Sequence, residues 1–254
     1  MKKLAIALTA IAAFTAPTLA ADMAVKAPIY QPPAPVYNWT GFYIFGGGGG
    51  GLWNADSNVV AFPGGVALTR DQRLGGSGWF GTVGAGYDWQ FASWVLGVFA
   101  DGQFGSIRGS LSDSFNGLEG REKLRDTWAA GVRLGYLVAP NVYSYVNAGY
   151  TGSEWSGATL TSLAGGPSVA TTASFHRDGW FVGGGVENNL NIFGITAPGW
   201  FMKTEYRSAF FNRVTLPETF VVAPLTASSV TFKPWVQTIS TSLVYRFNWG
   251  ATRY

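Results

Sequence analysis

Hydrophobic and polar residues alternate with a period of two along most of the chain after residue 38. From Trp79 to Phe91 the odd positions are Trp79, Gly81, Val83, Ala85, Tyr87, Trp89 and Phe91. Between them stand Phe80, Thr82, Gly84, Gly86, Asp88 and Gln90. Successive residues of a strand point to opposite faces, so this pattern predicts a strand with one apolar face and one small or polar face. Trp94, Leu96, Val98 and Ala100 repeat it, and so do Trp128, Ala130, Val132, Leu134 and Tyr136 against Ala129, Gly131, Arg133 and Gly135. The last segment runs from Trp235 to Phe247, with Arg246 on its polar face. Eight strands are expected at about 39–53, 77–91, 94–107, 123–137, 142–153, 175–189, 200–210 and 234–247. The first is the least regular, because aromatic residues occupy both faces before the glycine run Gly46–Gly51.

The connections sort into two kinds. Those after strands two, four and six are short: Ala92-Ser93, Val138 to Asn141, and about ten residues around Asn191 to Gly199. Those after strands one, three, five and seven are long, at 54–76, 108–122, 154–174 and 211–233. Short and long connections therefore leave opposite ends of the sheet, as in an outer-membrane barrel with tight periplasmic turns and long surface loops. Strands of this length suit a tilted crossing of about 25 Å of hydrocarbon. Aromatic residues also gather near the short turns: Trp89, Phe91, Trp94, Tyr136, Tyr143, Trp200 and Phe247 form an expected girdle at headgroup level. Hydrocarbon offers no partner to an open sheet edge, so the eighth strand must join the first. A soluble lipocalin-like barrel is disfavoured, because here the large apolar face is aromatic while charges sit among glycines on the other. The expected fold is all-β, a transmembrane antiparallel up-and-down β-barrel of eight strands. A ten-stranded barrel remains an alternative, because alternating stretches in the long connections, such as Thr219–Val222 and Ser229–Phe232, can pair as hairpins above the membrane.

Composition narrows the rest. With 12% charged and 16% aromatic residues the chain is not disordered, and zero cysteines exclude a disulfide scaffold or a thiol nucleophile. Seventeen basic against fourteen acidic residues is too even a balance to suggest nucleic acid. Lys2-Lys3, the apolar run Leu4 to Ala16 and the small residues Thr18-Leu19-Ala20 predict a signal peptide over residues 1–20. Residues 21–37, with Pro28, Pro32, Pro33 and Pro35, are expected to be an extended periplasmic tether, and 38–254 the barrel.

Eight charged residues fall on the inward face: Asp88, Asp101, Arg133, Glu187, Lys203, Glu205, Arg207 and Arg246. Four are acidic and four basic, so a balanced ion-pair network inside the barrel is expected, with Gly84, Gly86, Gly131, Gly183 and Gly185 making room. Such a lining either fills the lumen or leaves a narrow polar path. An enzyme is the rival reading, since Ser174, His176 and Asp178 alternate around the single histidine. Residues two apart on a strand stand about 6.5–7 Å from one another, beyond hydrogen-bond reach for a hydrolytic triad. No catalytic residue, metal site or cofactor is therefore expected. The run Gly46–Gly51 lacks the lysine and helix of a phosphate loop.

The stretches Ala21–Pro28 and Tyr37–Ile44, and the ending Leu243–Gly250, resemble the alphaproteobacterial outer-membrane immunogenic protein family. The resemblance implies an abundant, antigenic, eight-stranded outer-membrane protein, and Phe247 or Tyr254 as the terminal aromatic assembly signal. The functional expectation is an envelope structural protein and surface antigen, with a small passive-diffusion porin left open. Surface binding of haem or a host factor through the long loops is the alternative, and a lipid-modifying enzyme the remote one. Expected partners are outer-membrane lipid, lipopolysaccharide and the barrel assembly machinery, for a monomer.

Overall fold

Inward positions on the first strand carry Tyr43 and Phe45, while Phe42 and Ile44 point outward, so a single period-two segment supplies both the filling and the lipid face. In the computed structural model, residues 38–192, 195–222 and 226–247 are described. The expected signal peptide, the tether and Tyr254 lie outside them. The strands are β1 (Gly41–Ala61), β2 (Gln72–Phe91), β3 (Trp94–Asp113), β4 (Leu118–Ala139), β5 (Val142–Trp155), β6 (Thr159–Ser162), β7 (Ser168–Thr171), β8 (Phe175–Ile192), β9 (Ile195–Phe211), β10 (Val214–Phe220) and β11 (Thr226–Phe247). All pairings are antiparallel, and β11 closes on β1 from Phe42–Phe247 to Ala61–Ser228.

Eight strands form the membrane ring, in the order β1-β2-β3-β4-β5-β8-β9-β11. The three short strands add none to that number. β6 continues β5 along β4, β7 continues β8 along β6, and β10 continues β9 between β7 and β11. The outer part is therefore a second ring of eight, β1-β2-β3-β4-β6-β7-β10-β11, and the ten-stranded alternative does not hold. The breaks are bridged by Ser156 N–H donating to the Lys123 carbonyl (2.9 Å) and Thr172 N–H to the Ala158 carbonyl (2.9 Å). Ladder bulges at Phe104/Ile107 and Leu124/Asp126 bend the wall where the two rings meet.

This changes the expected loops. Most of the described residues of 54–76, 108–122, 154–174 and 211–233 are strand, with turns at 62–71, 114–117 and 163–167, bends at 221–222 and short breaks at 156–158, 172–174 and 212–213. A strand edge outside the membrane must also pair or be solvated, and alternating Val, Thr and Ser make pairing favourable. The third periplasmic turn also shrinks. β8 and β9 pair as far as Ile192–Ile195, within the ten residues expected to be unpaired.

Candidate functional site

The outward face between the turns is apolar and bounded by two aromatic belts. The lower belt holds Phe42, Trp89, Phe91, Trp94, Tyr136 and Trp200, with Tyr245 and Phe247 partly exposed beside them. Tyr143 does not belong to it. That side chain is fully buried in the lumen, its ring 5.4 Å from Trp39 and its hydroxyl donating to the Val95 carbonyl. Its parity is that of Tyr145 and Asn147, whereas Val146 and Tyr150 face lipid. An upper belt, absent from the expected girdle, holds Trp79, Phe104, Trp128, Tyr150, Trp180 and Trp235. From Trp128 to Tyr136 the wall rises roughly 21 Å for a strand tilted about 40°, close to the roughly 25 Å apolar band of an outer-membrane barrel.

Inside, all eight charged residues singled out from the sequence are buried, and they form two groups. In the lower group Arg133 on β4 donates to Asp88 on β2 (Nε–Oδ1 2.9 Å, Nη2–Oδ2 2.5 Å) and to Glu187 on β8 (3.3 Å). Arg246 on β11 donates to the same two carboxylates, at 2.7 Å to Glu187 and 2.8 Å to Asp88. Each pair spans one intervening strand, so the four residues make a closed square, β2-β4-β8-β11, around the whole ring. Gly97 on β3 leaves space between Asp88 and Arg133, since a Cβ there would overlap the Asp88 carboxylate. Aromatic faces cover the guanidinium groups, with Arg133 4.2 Å from the Tyr43 ring centre and Arg246 4.5 Å from that of Trp39.

The upper group centres on Arg207 of β9, which donates to Asp101 (2.9 and 2.5 Å) and to Glu205 (2.8 Å). In an eight-strand ring β9 stands opposite β3, so the Arg207–Asp101 pair crosses the full width of the lumen. Lys203 lies 3.7 Å from Glu205 and 3.3 Å above the Phe45 ring. Tyr145 joins the two levels: its hydroxyl donates to Glu205 (2.7 Å) and its ring centre is 5.2 Å from Arg133. A Cβ at Gly185 would overlap that tyrosine, one at Gly86 would overlap Tyr43, and one at Gly84 would overlap Phe45.

Above the charges the outer ring is filled with apolar side chains. Trp53, Trp155 and Phe232 meet with ring centres 5.3–5.6 Å apart, and Phe175 stacks on Trp155 at 5.8 Å. Trp53 on β1 and Trp155 on β5 come from opposite walls. Around Arg207, Gln103 and Thr238 the remaining void is about 10 Å³, the smallest space that holds one water. Three buried carboxyls in this outer ring had no sequence signal. Burial pushes Glu122 up to about 8, against the opposing effect of the Lys123 backbone N–H beside its carboxylate. Burial and the neighbouring Asp113 raise Glu218 to about 7, against the Ser228 hydroxyl that donates to it at 2.6 Å.

Ser174 and His176 are exposed, and His176 pairs in register with Glu154 on the outer wall. Among the described residues no hydrogen bond joins Ser174, His176 and Asp178, and no group of three or more His, Cys, Asp or Glu could hold a metal ion.

A closed antiparallel ring with a lipid-facing band, two aromatic belts and an ion-paired interior defines a small outer-membrane β-barrel. Residues 6–247 match the family described as outer membrane protein beta-barrel domain. The chain is 31% identical over 208 residues to the 31 kDa outer-membrane immunogenic proteins of Brucella melitensis and Brucella suis, covering 78% of this chain and 83% of each of those. The chain belongs to this family of outer-membrane immunogenic β-barrels. Its fold is similar to that of the outer membrane protein OprG from Pseudomonas aeruginosa, at a TM-score of 0.50 and 14% identity over 82% of this chain and 97% of that one.

Proposed function

We propose that the protein is a non-conducting structural barrel of the outer membrane that displays its outer ring as a surface antigen. The observation that carries this reading is the Arg207–Asp101 pair bridging opposite walls above a closed square of four ion pairs. A solute passing through would have to break buried pairs on two levels and displace the Trp53–Trp155–Phe232 cluster. Leaving a buried charge without its partner costs about 3–5 kcal/mol, so a state with one pair parted would be populated below about one part in a hundred. The lumen serves as a core: it braces the wall rather than forming a path.

A deletion strain tests it. Loss of the chain should raise sensitivity to detergent and chelator without slowing uptake of small sugars, and the wild-type chain should restore resistance. Slower uptake with an intact envelope would refute the structural reading and favour a porin.

A further inference from the structure

The outer wall of β3 and β4 carries an unusual concentration of unpaired cations. Arg121 and Lys123 lie two apart on one face of β4, and Arg108 of β3 stands directly opposite Lys123 in the register. Arg125, exposed at the β4 bulge, follows next toward the membrane. Like charges directly opposite each other across strands are destabilising, and among the described residues none of the four has an ion-pair partner. The nearest hydrogen-bond acceptor in use is the Ser106 hydroxyl, taken by Arg108 Nε at 2.7 Å.

A recess of about 870 Å³ opens on the same face. Gly109, Gly120 and Gly157 line it with Arg108, Arg121, Ser110 and Thr159, and Glu119 is the one carboxylate among its lining residues. Hydroxyls and glycine backbone suit sugar rings, and the arginines suit phosphate. The height of the patch selects the partner. Arg125 to Arg121 stand roughly 8–18 Å above the Trp128 belt for a strand tilted about 40°, the level of headgroup phosphates and the first sugars of an outer-leaflet glycolipid. Basic side chains placed at that level attract anionic lipid headgroups.

We infer that Arg108, Arg121, Lys123 and the adjoining recess form a binding site for the phosphorylated sugar headgroup of an outer-leaflet glycolipid of the lipid A type. The site lies on the outside of the wall, so it is independent of whether the lumen conducts.

The test uses the full mature chain refolded into phosphatidylcholine nanodiscs and titrated with fluorescent bisphosphorylated lipid A. Phosphate-free lipid A and soluble inositol hexakisphosphate are run beside it. The triple variant Arg108→Gln/Arg121→Gln/Lys123→Gln should bind at least tenfold more weakly. A control with Arg70→Gln/Arg213→Gln should bind as wild type, and removal of the lipid phosphates should cost at least fivefold. Equal binding by the triple variant, or equal binding of phosphate-free lipid, would overturn the inference. Hexakisphosphate binding as tightly as the lipid would replace the headgroup with a free polyanion and overturn the assignment to lipid. Heat-modifiable gel mobility checks that the triple variant folds. If it does not, the single variants Arg121→Gln and Lys123→Gln are read instead, each expected to weaken binding about threefold, and no change in either counts against the site.

Discussion

Replacing Arg133 by leucine should be among the most damaging single changes in the barrel that leave its outer face untouched. The guanidinium makes three hydrogen bonds, two to Asp88 and one to Glu187. A hydrogen bond involving a charge contributes about 1.5–3 kcal/mol, which bounds the gross loss of the three at roughly 4.5–9 kcal/mol. Arg246 also holds both carboxylates and remains in place, so part of that loss is recovered. One cation then faces two buried anions, and removal of one partner from a buried pair typically costs about 3–5 kcal/mol. The expected destabilisation is therefore about 3–5 kcal/mol. Urea titration of the refolded protein in lipid vesicles, read as the heat-modifiable fraction on a gel, measures it directly. The double variant Arg133→Leu/Glu187→Gln restores one cation to one anion, and should recover about 2 kcal/mol of that. An unchanged midpoint for Arg133→Leu, or a double variant no more stable than the single, would refute the reasoning that the square is an energetically coupled unit.

Tyr145→Phe keeps the ring beside Arg133 but removes the donor to Glu205, and should cost about 1.5–3 kcal/mol in the same titration. Val132, outward and midway between Trp128 and Tyr136, sits at the centre of the hydrocarbon band, so Val132→Arg should cost about 2–4 kcal/mol, measured by folding efficiency into vesicles. Glu122 and Glu218 have folded values near 8 and 7, above an unfolded value near 4.5, so the folded outer ring binds more protons than the unfolded chain. Their contribution is complete below about pH 4.5 and lost as the pH rises through 7 to 8. Proteolysis at the surface turns should therefore be faster at pH 9 than at pH 5.5, and Glu122→Gln should flatten that difference. A rate that does not change with pH would contradict the assignment.

The membrane part of the fold was legible because both of its solvents are uniform. Lipid outside and a packed lumen inside enforce strict alternation, which is why the parity of Trp128 to Tyr136 against Arg133 is readable from the chain alone. The outer ring was less legible for a physical reason. Above the membrane the wall faces water, so its outward positions are Thr, Ser and charged residues that resemble loop composition, and the bulges at Phe104/Ile107 and Leu124/Asp126 shift the parity. Tyr143 stands near a turn, as a girdle residue does, but it shares the inward parity of Tyr145 and is buried in the lumen. The upper belt had a signal in Trp79, Trp128, Trp180 and Trp235, each set eight to twelve residues along its strand from a lower-belt position or from the strand's periplasmic end. Which inward charges meet across the ring depends on strand stagger, and alternation carries no information about that.

The closed lumen is the claim on which the account turns, and conductance in a planar bilayer tests it most directly. The refolded wild-type protein, its fold checked by heat-modifiable mobility, should give no channel steps above baseline at moderate voltage. Reproducible small steps that disappear when the protein is omitted and change selectivity on Asp101→Asn or Arg207→Gln would contradict it, making the same ion pairs a conduction filter.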